Sequence, residues 1–281
     1  MTPQEERSLK TLHDSIAYAG FGDRYHAEVE RAFKAGEPQA QLEPSYKDYG
    51  NGTYMVWEPK VEEPKNATNY GLYFNGFRAT LFQEDKEPVS HFFAHFKVAG
   101  PTTEQAYMLL SGATVLHEEW DKRKDQRKEV FTRLDLKTLV ADGAQRPIIR
   151  INADQVNLGK LYSMEDIQGS QKTKEKNLEL LQAGYMVQAT SRVRVNGVPT
   201  QRQVTLALVL PSDKEMQMAV MNEERKLIDL HRVPVVENAL ARTVGMQTGI
   251  GEKTQLPENV LKMLNKKDEL PKMGGHSVNR A

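Results

Sequence analysis

Two hydrophobic periods alternate along this chain. Near the N-terminus apolar residues recur at helical spacing: Leu9, Leu12 and Ile16, then Tyr25, Val29 and Phe33. That spacing gathers each set on one helix stripe, so the pattern predicts an αα-hairpin over residues 1–36. Thr2-Pro3 provides an N-cap and a first-turn proline, Gly20-Phe21-Gly22 stops the first helix, and Gly36 stops the second. Between residues 38 and 98 the period drops to two. Three stretches there predict an antiparallel meander. GNGTYMVWEP turns at Gly50-Asn51-Gly52, and NYGLYFNGFRATLFQ breaks at Asn75-Gly76. In KEPVSHFFAHFKV, His91, Phe93 and His95 alternate with Phe92, Ala94 and Phe96.

Thr102 or Thr103 opens another helix, which Gly112 ends. ATVLHEEWDKRKDQRKEVFTRLDL reads as strand, charged turn, strand. RPIIRIN reads as a further strand, and ADQVNLGKLYSMEDIQG as a short helix and loop. Ser170 caps a helix that runs to Gly184, and KEMQMAVMN adds a strand after the hairpin that follows.

That hairpin, SRVRVNGVPTQRQVTLALVL, is the most regular stretch of all. A two-residue type I′ turn at Asn196-Gly197 sets Val195 against Val198, Ala189 against Val204 and Val187 against Leu206. These positions share an apolar face with Val193, Leu208 and Leu210, which packs on the preceding helix. The other face carries Gln188, Thr190, Arg192 and Arg194 opposite Thr205, Gln203, Gln201 and Pro199. It is polar, basic and free of acids, and Arg202 is the ribbon's third arginine. Pro199 cannot donate to a ladder, which puts the tip at an edge or beyond the sheet.

One plan recurs along the chain. A helix ends at glycine, a strand leaves, turns through a charged or Asn-Gly tip, and returns. The fold class expected is therefore α+β: repeated helix-plus-antiparallel-β-hairpin modules, with helices packed on antiparallel sheets. Residues 1–36 form the helical hairpin and 37–222 the α+β domain or domains. Residues 223–281 read as a partly disordered C-terminal appendage, with a short helix from Pro257.

Composition narrows the functional classes. A chain of 281 residues suffices for one large domain or two small ones. The 38 basic residues equal the 38 acidic ones, which counts against a protein that coats nucleic acid but leaves room for a local basic patch. Cysteine is absent, which excludes disulfide frameworks, iron–sulfur clusters, cysteine nucleophiles and cysteine-ligated zinc. No apolar run is long enough for a membrane span, and the N-terminus lacks a secretory core, so a cytoplasmic location without membrane contact is expected.

The chemistry-bearing motifs are few. His91 and His95 fall on one strand face, and a metal would need a third ligand such as His117; the two read instead as aromatic-flanked surface histidines. GIGEKT (249–254) lacks the adjacent Gly-Lys-Ser/Thr of a phosphate loop. The pairs Glu62-Glu63, Glu118-Glu119 and Glu223-Glu224 read as solvated charges. No nucleophile elbow appears. The expectation is a chain without catalytic residues, cofactor or metal.

Basic tips are the remaining candidates. In DKRKDQRK, Lys122, Arg123, Lys124, Arg127 and Lys128 face only Asp121 and Asp125. A two-stranded ribbon fits a major groove, and arginine is the commonest base and phosphate contact. Arg192, Arg194, Arg202, Arg123, Lys124, Arg127 and Lys128 are thus the candidate contacts with nucleic acid or a partner. A solvated outer face explains the same residues, because edge strands carry positive charge to block aggregation.

AYAGFGDRYHAEVERAFKAGEPQAQL, NYGLYFNGFRATLFQ, TTEQAYMLLSGATVLHEEW and LLQAGYMVQATSRVRVNG occur in this order. In that order they resemble a family of uncharacterised proteins from Bacteroidetes-type conjugative and integrative mobile elements. The resemblance spans roughly residues 9–222; DKRKDQRK departs from the family's shorter, tyrosine-rich hairpin. It implies no catalytic residues. It implies a non-enzymatic accessory or binding role beside DNA-processing machinery, with DNA or a DNA-processing protein complex as partner. The alternatives are a protein–protein adaptor without nucleic-acid contact, and an enzyme whose motif is not recognisable. A homodimer through exposed edge strands is a further expectation.

Overall fold

The computed structural model describes residues 1–63, 71–138, 145–158, 167–195, 198–222 and 227–233. They form an α+β fold of three antiparallel sheets, with a helix leading into the main hairpin or meander of each. Helix α1 (Pro3–Ile16) begins with a capping box: Thr2 Oγ1 accepts from the Glu5 N–H, and Glu5 accepts from the Thr2 N–H. A π-turn (Ala17–Phe21) and two positive-φ glycines, Gly20 and Gly22, swing the chain into α2 (His26–Ala35). The first sheet is a four-stranded meander of β1 (Ser45–Gly50), β2 (Thr53–Glu62), β3 (Tyr73–Gln83) and β4 (Lys86–Ala94).

Helix α3 (Thr103–Leu110) leads to a three-stranded meander of β5 (Val115–Asp121), β6 (Gln126–Leu134) and β7 (Ile148–Asn152). The third sheet holds β8 (Ile167–Gln168), β9 (Val187–Val195), β10 (Val198–Ser212), β11 (Glu215–Met221) and β12 (Leu227–Val233), in the order 12-11-10-9-8. Helix α4 (Gln171–Gln182), capped by Ser170, precedes β9.

The recurring plan is visible in the backbone. Gly36, Gly112 and Gly184 all adopt positive φ within two residues of the ends of α2, α3 and α4. Each closes the same Schellman pair of hydrogen bonds. Gly36 N–H donates to Phe33 O and Glu37 N–H to Ala32 O; Gly112 and Ala113 donate to Leu109 and Met108; Gly184 and Tyr185 donate to Leu181 and Leu180.

Helices and sheets share cores rather than standing apart. Ile16 and Val29 of the helical hairpin are buried with Met55, Phe77 and Leu81 of the first sheet and Leu109 of α3. Residues 1–36 are therefore part of the first core. The middle sheet supplies both cores: Val115 and Leu134 join the first, while Phe131 and Ile151, paired across β6 and β7, join the second. Leu181 of α4 and Val187, Val204, Leu206 and Leu210 of the third sheet complete that second core.

The ribbon register is the one the Asn-Gly turn implies: Val195 faces Val198, Arg192 faces Gln201, Ala189 faces Val204 and Val187 faces Leu206. Two readings change. Asn75-Gly76 does not break a strand. β3 runs through it as a bulge, with Lys60 opposite Gly76 but Val61 opposite Phe74, so Asn75 is the extra residue. Gly76 is needed because β4 lies against it: a Cβ there would stand 2.0 Å from the Phe93 carbonyl oxygen. Second, the third sheet extends past residue 222, since β12 pairs with β11 inside the span read as an appendage. The helix expected from Pro257 and the GIGEKT segment lie outside the described residues.

Candidate nucleic-acid interface

Strand alternation exposes the β5–β6 tip. Lys122, Arg123 and Lys124 are exposed in the turn, and among the described residues none of them forms an ion pair. The two acids of the tip are engaged locally. Asp121 Oδ1 accepts from the backbone N–H of Arg123 (2.9 Å) and of Lys124 (3.4 Å), bonds that hold its carboxyl below the usual range. Asp125 accepts from Lys97 Nζ (2.6 Å) and Trp120 Nε1 (3.2 Å), and the lysine contact likewise lowers its pKa.

A second turn completes the site. Phe96 and Ala99 exchange both backbone hydrogen bonds (3.0 and 3.1 Å), leaving Lys97 and Val98 at the centre with φ of 48° and 57°. This is a type I′-like turn built from two residues that disfavour it, and a β-branched residue at positive φ is an outlier. It seats Lys97 Nζ 4.4 Å from the centre of the Trp120 ring. Lys122 Nζ lies 5.1 Å from the centre of the Phe96 ring, and the two rings are 6.5 Å apart at 60°. Phe96 is 45% exposed, and Trp120 is half-buried.

The remaining candidates are dispersed. Arg127 is exposed but donates to Glu118 Oε2 at 3.0 Å, and Glu118 also accepts from the Tyr18 hydroxyl at 3.4 Å. Lys128 is half-buried and donates to Asn152 Oδ1 at 3.4 Å. Arg192 is exposed on β9 opposite Gln201, and Arg194 stands opposite Pro199 in register. Arg202 is exposed opposite Ser191, which places it on the other ribbon face from Arg192. The structure therefore does not gather the three ribbon arginines, and it places the two basic tips on different sheets.

No family model, curated protein or solved structure matches the chain.

The histidines require a correction. His91 and His95 are buried, not surface residues, and His117 is buried as well: Phe93, between the first two, and Val115, beside the third, pack into the first core. Burial pushes each of them down to about 4. Around His91 the cations Arg146, Arg150 and Arg78 add to the effect. Hydrogen bonds fix the neutral rings. His91 Nδ1 accepts from the Arg146 N–H (3.2 Å), and His95 Nε2 donates to the Pro101 carbonyl (2.8 Å). His117 lies between the Glu118 carbonyl (3.1 Å) and the Thr132 hydroxyl (2.9 Å). No three potential metal ligands gather among the described residues. The paired acids separate too: Glu118 meets Arg127, while Glu119 pairs with Arg150 at 3.0 Å.

Nothing in the sequence marks Phe96, Lys97 and Trp120 as parts of one site. A turn at Lys97-Val98 carries no Asn or Gly to announce it. Trp120 gives no sign in sequence that a segment more than twenty residues earlier folds back onto it.

Proposed function

We propose that the chain is a non-enzymatic accessory protein of a mobile genetic element that contacts DNA through the β5–β6 tip. The observation that carries this reading is the local charge balance. Lys122, Arg123 and Lys124 form no ion pair among the described residues, while Asp121 is taken by backbone N–H groups of the turn and Asp125 by Lys97 and Trp120. Exposed cations with no carboxylate partner are what a phosphate backbone recruits. The ordered resemblance of four stretches to mobile-element proteins supplies the context. Helices among the described residues are all too short or too polar to cross a membrane.

Fluorescence anisotropy with labelled DNA tests the proposal. Binding should weaken steeply with salt, and the Arg123→Glu, Lys124→Glu double variant should lose affinity and lower the salt slope. Affinity unchanged by this reversal sinks the reading. Arg192→Glu, on the other sheet, should have a smaller effect.

The outer face of the first sheet favours a second reading, self-association. Tyr46 is 77% exposed there, and Tyr54 stacks on Phe82 at 4.6 Å. Asp48, Glu58, Lys60 and Arg78 share this surface, and mixed charge is self-complementary across a two-fold axis. Light scattering should then report a dimer that Tyr46→Glu converts to monomer; a monomeric parent chain excludes it.

A further inference from the structure

We propose that the platform of Phe96 and Trp120 selects single-stranded over double-stranded DNA by stacking on unpaired bases. The inference rests on the reading of the β5–β6 tip as a DNA contact and goes further than it, because phosphate contacts alone do not distinguish the two forms.

The aromatic geometry carries the argument. Phe96 stays 45% exposed although Lys122 and Trp120 are its neighbours, so ring surface remains open to another π-system. In a duplex the base faces are stacked on one another and hidden. An exposed ring among cations gains little from a duplex beyond its phosphates, whereas an unpaired base offers both a face and an adjoining phosphate. Lys97 and Lys122 stand within 5.1 Å of the ring centres, which puts positive charge where that phosphate would follow.

One side chain also ties the two halves of the platform together. Asp125 accepts from both Lys97 Nζ and Trp120 Nε1, so one carboxylate bridges the turn and the hairpin. Two positive-φ residues, Lys97 and Val98, are tolerated to bring Phe96 beside Trp120. Backbone strain concentrated at an exposed aromatic and basic cluster is the pattern expected where geometry serves binding.

The test compares one labelled oligonucleotide of mixed sequence, about 20 nucleotides long to exceed a typical single-strand site, alone and annealed to its complement. The full chain is titrated against both at the same salt. Tryptophan emission gives a second readout. Trp57 is buried at 5% exposure, so quenching on binding reports Trp120. The expected result is binding to the single strand at least about tenfold tighter than to the duplex. Quenching should accompany it, and Phe96→Leu should remove the preference. Leucine keeps apolar bulk but has no π-face, and thermal unfolding of the variant checks that it is folded. Lys124→Glu should weaken both forms alike. Equal affinity for the two forms, or a preference that survives Phe96→Leu in the folded variant, overturns the inference and leaves the DNA-contact reading standing. Binding to neither form overturns both.

Discussion

Lys97 Nζ lies 2.6 Å from the Asp125 carboxylate, joining a turn of the β4–α3 connection to the tip of the β5–β6 hairpin. Both side chains are largely exposed, so solvent screens the ion pair and it adds little to stability. It is nonetheless set against a backbone that works in the opposite direction. Lys97 and Val98 both hold positive φ, at roughly 1–2 kcal/mol per residue for an L-amino acid. Val98 is the worse of the two because its branched Cβ crowds the following carbonyl. Val98→Asn should therefore raise stability by up to about 1 kcal/mol, since asparagine tolerates this region. Urea unfolding measures it: the midpoint should rise with an unchanged slope.

The three helix caps separate two costs that usually arrive together. Gly36 and Gly184 share positive φ and the same pair of hydrogen bonds. A Cβ on Gly36 would meet nothing within 4 Å. A Cβ on Gly184 would stand 2.9 Å from Val115 Cγ2 and 3.3 Å from the Thr114 carbonyl. Gly36→Ala should cost about 1 kcal/mol, the conformational penalty alone. Gly184→Ala should cost about 2–4 kcal/mol, because the α4 cap then collides with the start of β5. Equal destabilisation in parallel denaturant melts would mean that α4 does not pack on the second module.

That contrast also marks how far the fold was legible in the chain. The glycine caps and the ribbon register could be read because they are local: a glycine after a helix stripe, or Asn-Gly between alternating runs, fixes its neighbours by backbone geometry. Gly76 could not. Asn75-Gly76 has the composition of a turn, and only the approach of the Phe93 carbonyl from β4 makes it a bulge. The histidines failed for the same reason. Alternation placed His91 and His95 on one face correctly, but which face is buried depends on what packs there, namely the helical hairpin and α3. At the candidate site the charges were visible in DKRKDQRK, whereas the aromatic half comes from Phe96 folding back onto Trp120. Charge runs are written in sequence; a platform whose two rings are separated by helix α3 and strand β5 is not.

The buried histidines set the acid response. An unfolded histidine titrates near 6.5, and His91, His95 and His117 are held to about 4 in the fold. The unfolded chain then binds more protons than the folded one between these values, so stability rises with pH across that window. Their contribution is complete above about pH 6.5, falls as pH drops, and levels off below about 4. Burial lowers His13 as well, which adds to the same trend. Between pH 6.5 and 5, where carboxylates remain ionised, each fully engaged histidine adds a slope of about 1.4 kcal/mol per pH unit. Urea midpoints measured over this range should fall steeply. His117→Asn should flatten the curve by one histidine's share, and a flat profile in the parent chain would show that these rings reach solvent.

Arg133 is buried with part of its guanidinium unpartnered. It is 4% exposed on β6, and its Nε and Nη1 have no hydrogen-bond partner among the described residues. Burial lowers its pKa, and Asp135 opposes that shift. The Asp135 carboxylate, however, is taken by the Lys137 and Thr138 N–H groups and the Thr138 hydroxyl. Desolvating a guanidinium without paired acceptors costs more than it returns, and apolar replacements of similar volume are often neutral or stabilising. Arg133→Met should therefore raise stability by about 1–3 kcal/mol. It should do so without altering DNA affinity, because Arg133 is not part of the β5–β6 tip. Arg133→Ala separates charge from packing, since it removes the buried cation but leaves a cavity beside Phe131 and Ile149. Alanine should be less stable than methionine by about 2 kcal/mol or more. Destabilisation by methionine in a thermal melt would mean that the guanidinium has a buried partner that stabilises it, and would refute this account.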